Sequence, residues 1–343
     1  MAAPFDRALR DAIAGATATV PGIDLQRAVD ALSRRYRDGA AAAGAVGRLT
    51  DAERLAYAVV RLPATAAALD AVFDAVERHT RVEPQTITDL GAGPGTVLWP
   101  AISRWPGIRR VTLLDRDPGL LGLGVRLWKA AAPGPGPPPG LDLRVRTGDL
   151  AAADAPAADV VVLSYAVGEL PEPRTGQAIE RALALTSGAL VVVEPGTPAG
   201  FARIRAVRDR LRAAGATLAA PCPHDDACPM AGADWCHFAV RLDRSRAHRQ
   251  SKHAALGWED EKFAYVVAVR DAALLRARAE ARVIRRPRKE TGHVRLALCT
   301  AGGLKEAVVA RRAPNYRAAR DASWGDAWPP TANATAELDP TIG

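Results

Sequence analysis

A glycine-rich turn is the first part of this sequence that could bind a ligand and support chemistry. Residues 89–95 read D-L-G-A-G-P-G, follow a short apolar run that begins at Ile87, and precede a helix-forming segment. Glycine lets the backbone turn tightly and approach a ligand without obstruction by a Cβ atom. The turn therefore indicates a loop that binds a nucleotide-like cofactor, with simple packing of the turn as the alternative.

Two acids further along the chain strengthen this interpretation. Asp115 ends the next apolar run, about 20 residues beyond the turn, where an acid accepts hydrogen bonds from ribose hydroxyls. Asp149 follows the third apolar run, at a position suited to the amino group of an adenine. Together the acids favour a nucleoside cofactor, and capping of the following helix is the alternative role of either one.

This series resembles the class I methyltransferase superfamily, with D-L-G-A-G-P-G and L-L-D-R-D as its first and second motifs. A nicotinamide oxidoreductase is the rival interpretation, but its loop usually reads G-x-G-x-x-G and cradles a pyrophosphate. The resemblance implies S-adenosylmethionine as the cofactor. The residues expected to bind it are Asp89, Gly91, Gly93, Gly95, Asp115, Asp149 and Ser164.

Candidates for the reacting groups follow the fourth apolar run. Doubly wound sheets place substrate-contacting groups at this edge, which here carries Ser164, Tyr165 and Glu169. Tyr165 and Glu169 are the catalytic candidates, and packing or a helix start is their alternative role. Neither N-P-P-Y nor P-C, the motifs typical of base-modifying enzymes, follows the fourth apolar run, so the sequence identifies no target base.

The cysteines form a second group of residues that could support chemistry. Three of the four fall within fifteen residues, and disulfides are disfavoured in the cytoplasm, which leaves metal or cluster ligation as the best explanation. Four thiolates suit zinc or an iron–sulfur cluster, and gaps of five, seven and 62 residues are looser than a zinc knuckle. Buried reduced cysteines are the alternative. The four are Cys222, Cys228, Cys236 and Cys299.

Three histidines lie near these cysteines in the sequence. His224, His237 and His293 are potential substitute ligands, although an unligated structural histidine is the commoner case. The ligand set therefore stays open between four cysteines and a mixed set.

Positive charge is concentrated towards the C-terminus. Residues 241–320 hold 20 Lys/Arg against 8 Asp/Glu, a net charge of +12, whereas the rest of the chain has a net charge of −4. Such asymmetry indicates contact with a polyanion, most obviously RNA or DNA. Solvated surface charge, with Glu259–Glu261 neutralising the arginines, is the alternative. The RNA-binding candidates are Arg244, Arg246, Arg249 and Lys252.

The elements that must position these groups follow from the apolar pattern. Residues 5–79 are Ala-rich with helical spacing, and Thr50 is a potential helix cap before a break at Pro63. Short apolar strands at 87–90, 111–114, 143–145, 160–163 and 190–193 alternate with helices at 120–130, 176–185 and 199–214. This alternation predicts a parallel, doubly wound, Rossmann-like α/β sheet.

The predicted organisation has five parts. An N-terminal helical region (1–83) precedes a Rossmann-like cofactor domain (84–220) and a cysteine-rich insert (221–270). A small β appendage (271–328) and a tail (329–343) follow. No apolar run of about 18 residues and no signal sequence is present, so we expect a cytoplasmic protein without a membrane span, most simply a monomer.

A more specific resemblance rests on the insert and its flanks. The segments C-P-H-D from Cys222, W-C-H-F from Trp235, G-W-E-D-E-K-F from Gly257, and Gly292-His293 followed by Cys299 resemble the methyltransferase-like family associated with mitochondrial small-ribosomal-subunit assembly, including its bacterial relatives. The match spans roughly residues 50–328. It implies a [4Fe–4S] cluster on the four cysteines and association with a small-subunit particle through its RNA.

These observations lead to one functional hypothesis and two rivals. We expect a methyltransferase-like, cluster-binding protein that acts on or with small-subunit ribosomal RNA during assembly. One rival is a noncatalytic RNA-binding assembly module, because some members of the family serve as assembly factors. The other is an S-adenosylmethionine-dependent methyltransferase of a small molecule or a protein.

Overall fold

The computed structural model describes residues 5–37, 49–131, 138–152, 154–244, 257–276 and 278–330. Three of the four RNA-binding candidates, Arg246, Arg249 and Lys252, lie outside these residues. The described chain consists of N-terminal helices, a mixed central sheet with helices on both faces, and a small antiparallel sheet near the C-terminus.

The described residues of the N-terminal region, 5–37 and 49–83, form four helices. Thr50 caps the third, because its side chain accepts a hydrogen bond from the Glu53 N–H while Glu53 accepts from the Thr50 N–H. Pro63 lies in the first turn of the fourth, which meets the third at a bend of 46°. The helices are α1 Asp6–Thr17, α2 Gly22–Arg37, α3 Asp51–Val60 and α4 Leu62–His79.

Eight strands form the central sheet. They are β1 Thr86–Leu90, β2 Arg110–Asp115, β3 Asp142–Thr147, β4 Ala158–Ser164, β5 Thr186–Pro195, β6 Thr217–Ala220, β7 Phe238–Asp243 and β8 Trp258–Val269. The order is β3-β2-β1-β4-β5-β8-β6, with β7 paired to β8. The intervening helices are α5 Leu98–Arg104, α6 Pro118–Ala130, α7 Glu172–Leu185 and α8 Pro198–Ala213. The predicted doubly wound α/β sheet is confirmed.

The two faces of the sheet bury different sets of side chains. Val160 and Val162 of β4 face α5, α6 and the N-terminal helices, whereas Val161 and Leu163 face α7 and α8. This follows from the two-residue period of a strand. The N-terminal helices therefore share one continuous core with the sheet.

Strand β8 contradicts two expectations from the sequence. It pairs antiparallel with both β5 and β6, so the sheet is not wholly parallel. It also shows that the predicted insert, 221–270, extends too far, because residues 263–269 of β8 are all buried inside the central sheet. A continuously apolar run is typical of a strand that is covered on both faces.

The predicted small β appendage is present. Its strands are β9 Ala281–Val283, β10 Arg288–Glu290, β11 His293–Thr300, β12 Gly303–Ala310 and β13 Ala327–Trp328, with helix α9 Tyr316–Asp321 against them. The order is β10-β11-β9-β13, and β12 pairs with β11. Val283, Leu296 and Trp328 lie in its small core.

In the described part of the chain, no single helix is both long enough and apolar enough to cross a membrane. Helices α3 and α4 meet that test of length and composition only as a bent pair, and both contribute to the buried core.

Candidate functional site

The glycine loop follows β1 at the carboxyl edge of the sheet. Gly91, Gly93 and Gly95 have φ angles of +79°, +54° and +68°, which side-chain-bearing residues rarely adopt. A Cβ atom on Gly91 would lie 2.5 Å from the Ala166 Cβ, and one on Gly95 would lie 2.9 Å from the Leu113 Cδ1. Both the backbone angles and the close contacts therefore require glycine at these positions.

A further glycine contributes to this loop and escaped the sequence analysis. Gly124 lies in α6, and a Cβ atom there would stand 1.9 Å from the carbonyl oxygen of Pro94. Helix α6 can therefore approach the loop closely only because residue 124 lacks a side chain. The available signal was the presence of glycines inside a helical pattern, here Gly119, Gly122 and Gly124, since an interior helical glycine often has a packing reason.

Asp115 joins the end of β2 to the glycine loop. Its carboxylate accepts hydrogen bonds from the N–H groups of Gly93 and Asp117, both at 2.8 Å. Burial raises the pKa of Asp115, although these two backbone hydrogen bonds oppose the shift. The structure thus places the acid predicted for ribose directly beside the loop.

Two other acids near this edge have strongly raised pKa values. Asp89 is completely buried, and neither of its carboxylate oxygens has a hydrogen-bond partner among the residues that the structure describes. Burial, together with the negative charge of Asp115, raises the pKa of Asp89 to about 8. Burial likewise raises the pKa of Glu169 to about 7, even though Arg116 donates a hydrogen bond to it at 3.0 Å. The edge therefore has an excess of buried acid groups.

The remaining predicted cofactor residues lie further along the same edge. Asp149 accepts hydrogen bonds from the Arg174 guanidinium and from the Ala151 N–H. Partial burial acts to raise its pKa, but these hydrogen bonds outweigh burial and lower it. Ser164 ends β4 and is buried. Contact of Asp149 with an adenine stays a prediction.

Tyr165 connects this edge with the β7–β8 hairpin. It has a φ of +56° and is the one non-glycine residue with positive φ in the chain as described. Its hydroxyl donates a hydrogen bond to the Glu261 Oε1 on β8 at 2.8 Å. Burial and the Glu261 carboxylate raise the pKa of Tyr165 well above its ordinary value, so the phenol stays protonated.

The four cysteines line a single cavity. Cys222 and Cys228 come from the loop after β6, Cys236 precedes β7, and Cys299 lies on β11 of the C-terminal sheet. Burial raises the pKa values of Cys222 and Cys236, and it raises that of Cys299 to about 12. Among the described residues, no three His, Cys, Asp or Glu side chains have the geometry to hold one metal ion.

The three histidines near the cysteines have different surroundings. His224 Nε2 lies 3.7 Å from the Cys299 Sγ and faces the same cavity. His237 stacks on Trp235 with ring centroids 5.1 Å apart, and His293 lies 2.9 Å from a Glu290 oxygen. Of the three, His224 is therefore the one that lies beside the thiols.

The described part of the arginine run is ion-paired. Arg244 donates hydrogen bonds of 3.2 and 3.0 Å to the Glu259 carboxylate. Arg241 forms a bidentate pair with Asp260 and lies over the Trp258 ring at 3.7 Å. The charge of Arg244 is thus offset by an acid on β8, which is the alternative to phosphate binding considered above.

Comparison with known proteins shows a match to one family. The model of the family described as "Mitochondrial small ribosomal subunit Rsm22" matches residues 51–329. The human "Ribosome assembly protein METTL17, mitochondrial" is 30% identical over 305 residues, covering 82% of this chain and 63% of that protein. The "Rsm22-cox11 tandem protein 2, mitochondrial" of Schizosaccharomyces pombe is 26% identical over 336 residues, covering 82% of this chain and 44% of that protein.

This chain spans less than two thirds of the length of each of these relatives. Both relatives are named as mitochondrial, and the cytoplasmic location expected from the present sequence stays a prediction.

Solved structures of methyltransferases are similar to part of this chain. A magnesium protoporphyrin IX methyltransferase from Synechocystis, solved with bound SAH, is 14% identical to this chain, with a TM-score of 0.39. The similarity covers 60% of this chain and 82% of that protein. An O-methyltransferase family protein from Burkholderia thailandensis is 17% identical, with a TM-score of 0.41, and covers 64% and 59%. More than a third of this chain lies outside each similarity.

The buried carboxyl of Asp89 predicts a pH dependence of stability. Its pKa is about 8 in the folded protein and about 3.8 in an unfolded chain, so folding binds a proton between these values. The free energy of unfolding therefore decreases as pH rises from about 4 to about 8. Asp89→Asn stays uncharged, and we expect a smaller decrease in urea denaturation measured between about pH 5 and about pH 9.

The matched control is Asp11→Asn, which replaces an exposed carboxylate on α1. We expect this variant to retain the wild-type slope of unfolding free energy against pH. Equal slopes for Asp89→Asn and the wild type would show that Asp89 is ionised in the folded protein.

Proposed function

The chain belongs to the mitochondrial small ribosomal subunit Rsm22 family, and from this premise we propose that it assists assembly of a small ribosomal subunit. In this proposal the protein binds S-adenosylmethionine at the glycine loop, holds a [4Fe–4S] cluster on its four cysteines, and contacts small-subunit RNA through its basic C-terminal part. Each element has separate support in the residues of this chain.

The buried acids at the cofactor edge carry the proposal for S-adenosylmethionine. This cofactor has a positive sulfonium and a positive ammonium group, and a cation nearby favours the ionised form of a carboxyl. In the described part of the chain, the two buried oxygens of Asp89 have no hydrogen-bond partner. Asp115 lies beside a loop that leaves no space for side chains at Gly91 and Gly95. A small cationic nucleoside fits both the charge and the close approach of this backbone.

The convergence of thiols carries the proposal for a cluster. Cysteines separated by as many as 77 positions line one cavity, although disulfides are disfavoured inside cells. Zinc requires thiolates that converge on one point at about 2.3 Å, whereas a four-iron cluster is held by thiolates around a larger body. Among the described residues, no three ligand side chains converge on one ion, so the proposal of a cluster rests on the four thiols that line one cavity. The proposed ligands are Cys222, Cys228, Cys236 and Cys299.

Assembly is placed before methyl transfer because the family that matches this chain is described by the small ribosomal subunit, and its human relative is named a ribosome assembly protein. The two catalytic candidates add no support for methyl transfer, since the Tyr165 hydroxyl donates to Glu261 and Glu169 accepts from Arg116. Methyl transfer is the second candidate function, because the backbone of the cofactor loop is intact.

Binding of S-adenosylmethionine is tested by a pair of glycine variants in α6. Gly124→Ala places a methyl group against Pro94 and displaces the loop, so we expect binding to weaken by about tenfold or more, roughly 1.4 kcal/mol. Gly122→Ala is the matched control, since its new Cβ would meet only the end of the Arg126 side chain, at 3.6 Å. The measurement is isothermal titration calorimetry, with thermal unfolding to verify that both variants are folded.

Wild-type protein that binds no S-adenosylmethionine would contradict the cofactor assignment. Equal affinities of the two variants would instead show that the packing of α6 does not shape the site.

The cluster is tested by analysis of iron, acid-labile sulfide and zinc after anaerobic purification. We expect about four irons and four sulfides per chain, with the visible absorption of a cluster, and loss of both in Cys228→Ser. Met230→Leu changes another side chain of the same cavity without removing a thiol, so it should retain the cluster. One zinc per chain, in place of iron and sulfide, would contradict the proposal and indicate a structural metal site.

The interaction with RNA is tested by charge reversal in the basic segment. We expect Arg246→Glu/Arg249→Glu/Lys252→Glu to weaken binding of transcribed small-subunit RNA and to reduce the salt slope by about 0.7 to 0.9 for each phosphate that the variant no longer neutralises. The control reverses Arg7, Arg27 and Arg34 on the N-terminal helices, which changes the net charge equally.

Equal weakening of RNA binding in both triple variants would mean that net charge alone governs binding, against a specific surface. Incorporation of labelled methyl groups into the same RNA would establish the second candidate function.

A further inference from the structure

Two buried arginines lie in the wall of the thiol cavity. Arg208 comes from α8 and Arg282 from β9, and only 3% and 5% of their surfaces are exposed. Arginine remains charged at any physiological pH. A buried cation costs several kcal/mol unless an anion or a full set of hydrogen bonds compensates its lost hydration, so both residues require an explanation.

Arg208 is directed at the thiol loop. Its Nε donates a hydrogen bond to the Cys222 Sγ at 3.3 Å, and one of its terminal nitrogens donates to the carbonyls of His224 and Asp226. The carboxylate near it, Asp209 at 3.3 Å, is more than half exposed. Because water screens such a pair strongly, Asp209 compensates little of the buried charge.

Arg282 has uncharged acceptors. It donates to the carbonyl oxygens of Pro221 and Gly325 at 2.8 and 2.9 Å, and to the Nε2 of His79 at 3.0 Å. Burial and the neighbouring Arg282 charge lower the pKa of His79 to about 4, so the imidazole accepts as a neutral ring. These hydrogen bonds use three of the five guanidinium N–H donors and supply no negative charge.

The balance of charge explains both residues together. When the four thiols are protonated, the described part of the cavity holds two buried guanidinium cations, besides the exposed Arg205, and little buried negative charge. Four thiolates around an oxidised four-iron core carry a net double negative charge, which two guanidinium groups balance. We propose that Arg208 and Arg282 are the built-in counter-ions of the metal–thiolate centre and hold its reduction potential up. This inference rests on the cluster of the proposed function.

The direction of the effect follows from electrostatics. One-electron reduction of the cluster by an external reductant adds a negative charge to a centre that is already negative. Nearby buried cations stabilise the reduced form more than the oxidised form, and hydrogen bonds to sulfur act in the same direction. Removal of either guanidinium should therefore lower the reduction potential, which makes the cluster harder to reduce.

The experiment uses the full chain, purified anaerobically with its cluster. Arg208→Met and Arg282→Met remove the charge, Arg208→Lys keeps it, and Arg210→Gln removes an exposed charge from the same helix, where it faces Glu180. Iron and sulfide are measured first, and the potential is then titrated with the electron paramagnetic resonance signal of the reduced cluster as the readout.

We expect each Met variant to lower the equilibrium constant for reduction about tenfold or more, which corresponds to about 59 mV for one electron. Arg208→Lys should retain most of the wild-type potential, and Arg210→Gln should match the wild type. A role limited to hydrogen bonding with the loop carbonyls would leave the potential unchanged in variants that keep the cluster.

The possible outcomes separate the inference from its premise. Wild-type protein without iron and sulfide overturns the proposed cluster itself. A wild-type cluster whose potential is unchanged in both Met variants overturns the inference alone. If Arg208→Met loses its cluster while Arg208→Lys keeps it, the requirement for charge is supported. If both Arg208 variants lose the cluster, the potential of Arg282→Met decides.

Discussion

The insertion of β8 between β5 and β6 is the constraint on which the rest of this structure depends. Residues 263–269 are buried on both faces, so this strand lies inside the sheet, and its antiparallel direction requires the preceding chain to leave the sheet and return. The excursion carries Cys222, Cys228 and Cys236, and its return forms the hairpin of β7 with the outer half of β8. After β8 the chain continues into the C-terminal sheet, which brings Cys299 back to the same cavity.

The two candidate sites have opposite electrostatic characters, which agrees with the different ligands proposed for them. At the glycine loop, burial leaves Asp89, Asp115 and Glu169 with raised pKa values, so a cation would relieve the cost of ionising them. In the thiol cavity, Arg208 and Arg282 are buried beside neutral thiols, so an anionic centre would relieve the cost of burying them. At each site, a ligand of the proposed charge would therefore lower the free-energy cost of burying these ionisable groups.

The two sites are joined through the same strand. The Tyr165 hydroxyl, at the cofactor edge, donates to Glu261 on the hairpin half of β8, while the inner half of β8 contributes Ala264, Tyr265 and Val266 to the wall of the thiol cavity. A shift of the β7–β8 hairpin would therefore move residues at both sites. In this member of the mitochondrial small ribosomal subunit Rsm22 family, the central sheet is thus joined to a separate C-terminal sheet.

The sequence by itself determined the features that depend on neighbouring residues. Positive φ angles at Gly91, Gly93 and Gly95, the position of Asp115 at a strand end, and the alternation of strands and helices arise from local sterics and periodicity. The tertiary structure alone decided the direction of β8, the contact of Gly124 with Pro94, the pairing of Arg244 with Glu259, and the burial of Arg208 and Arg282 beside the thiols. These contacts join residues 14 to more than 200 positions apart, and local patterns carry no information about which distant elements become neighbours. The strand order and the packing of helices on the sheet settle that, because they determine which side chains share a buried space.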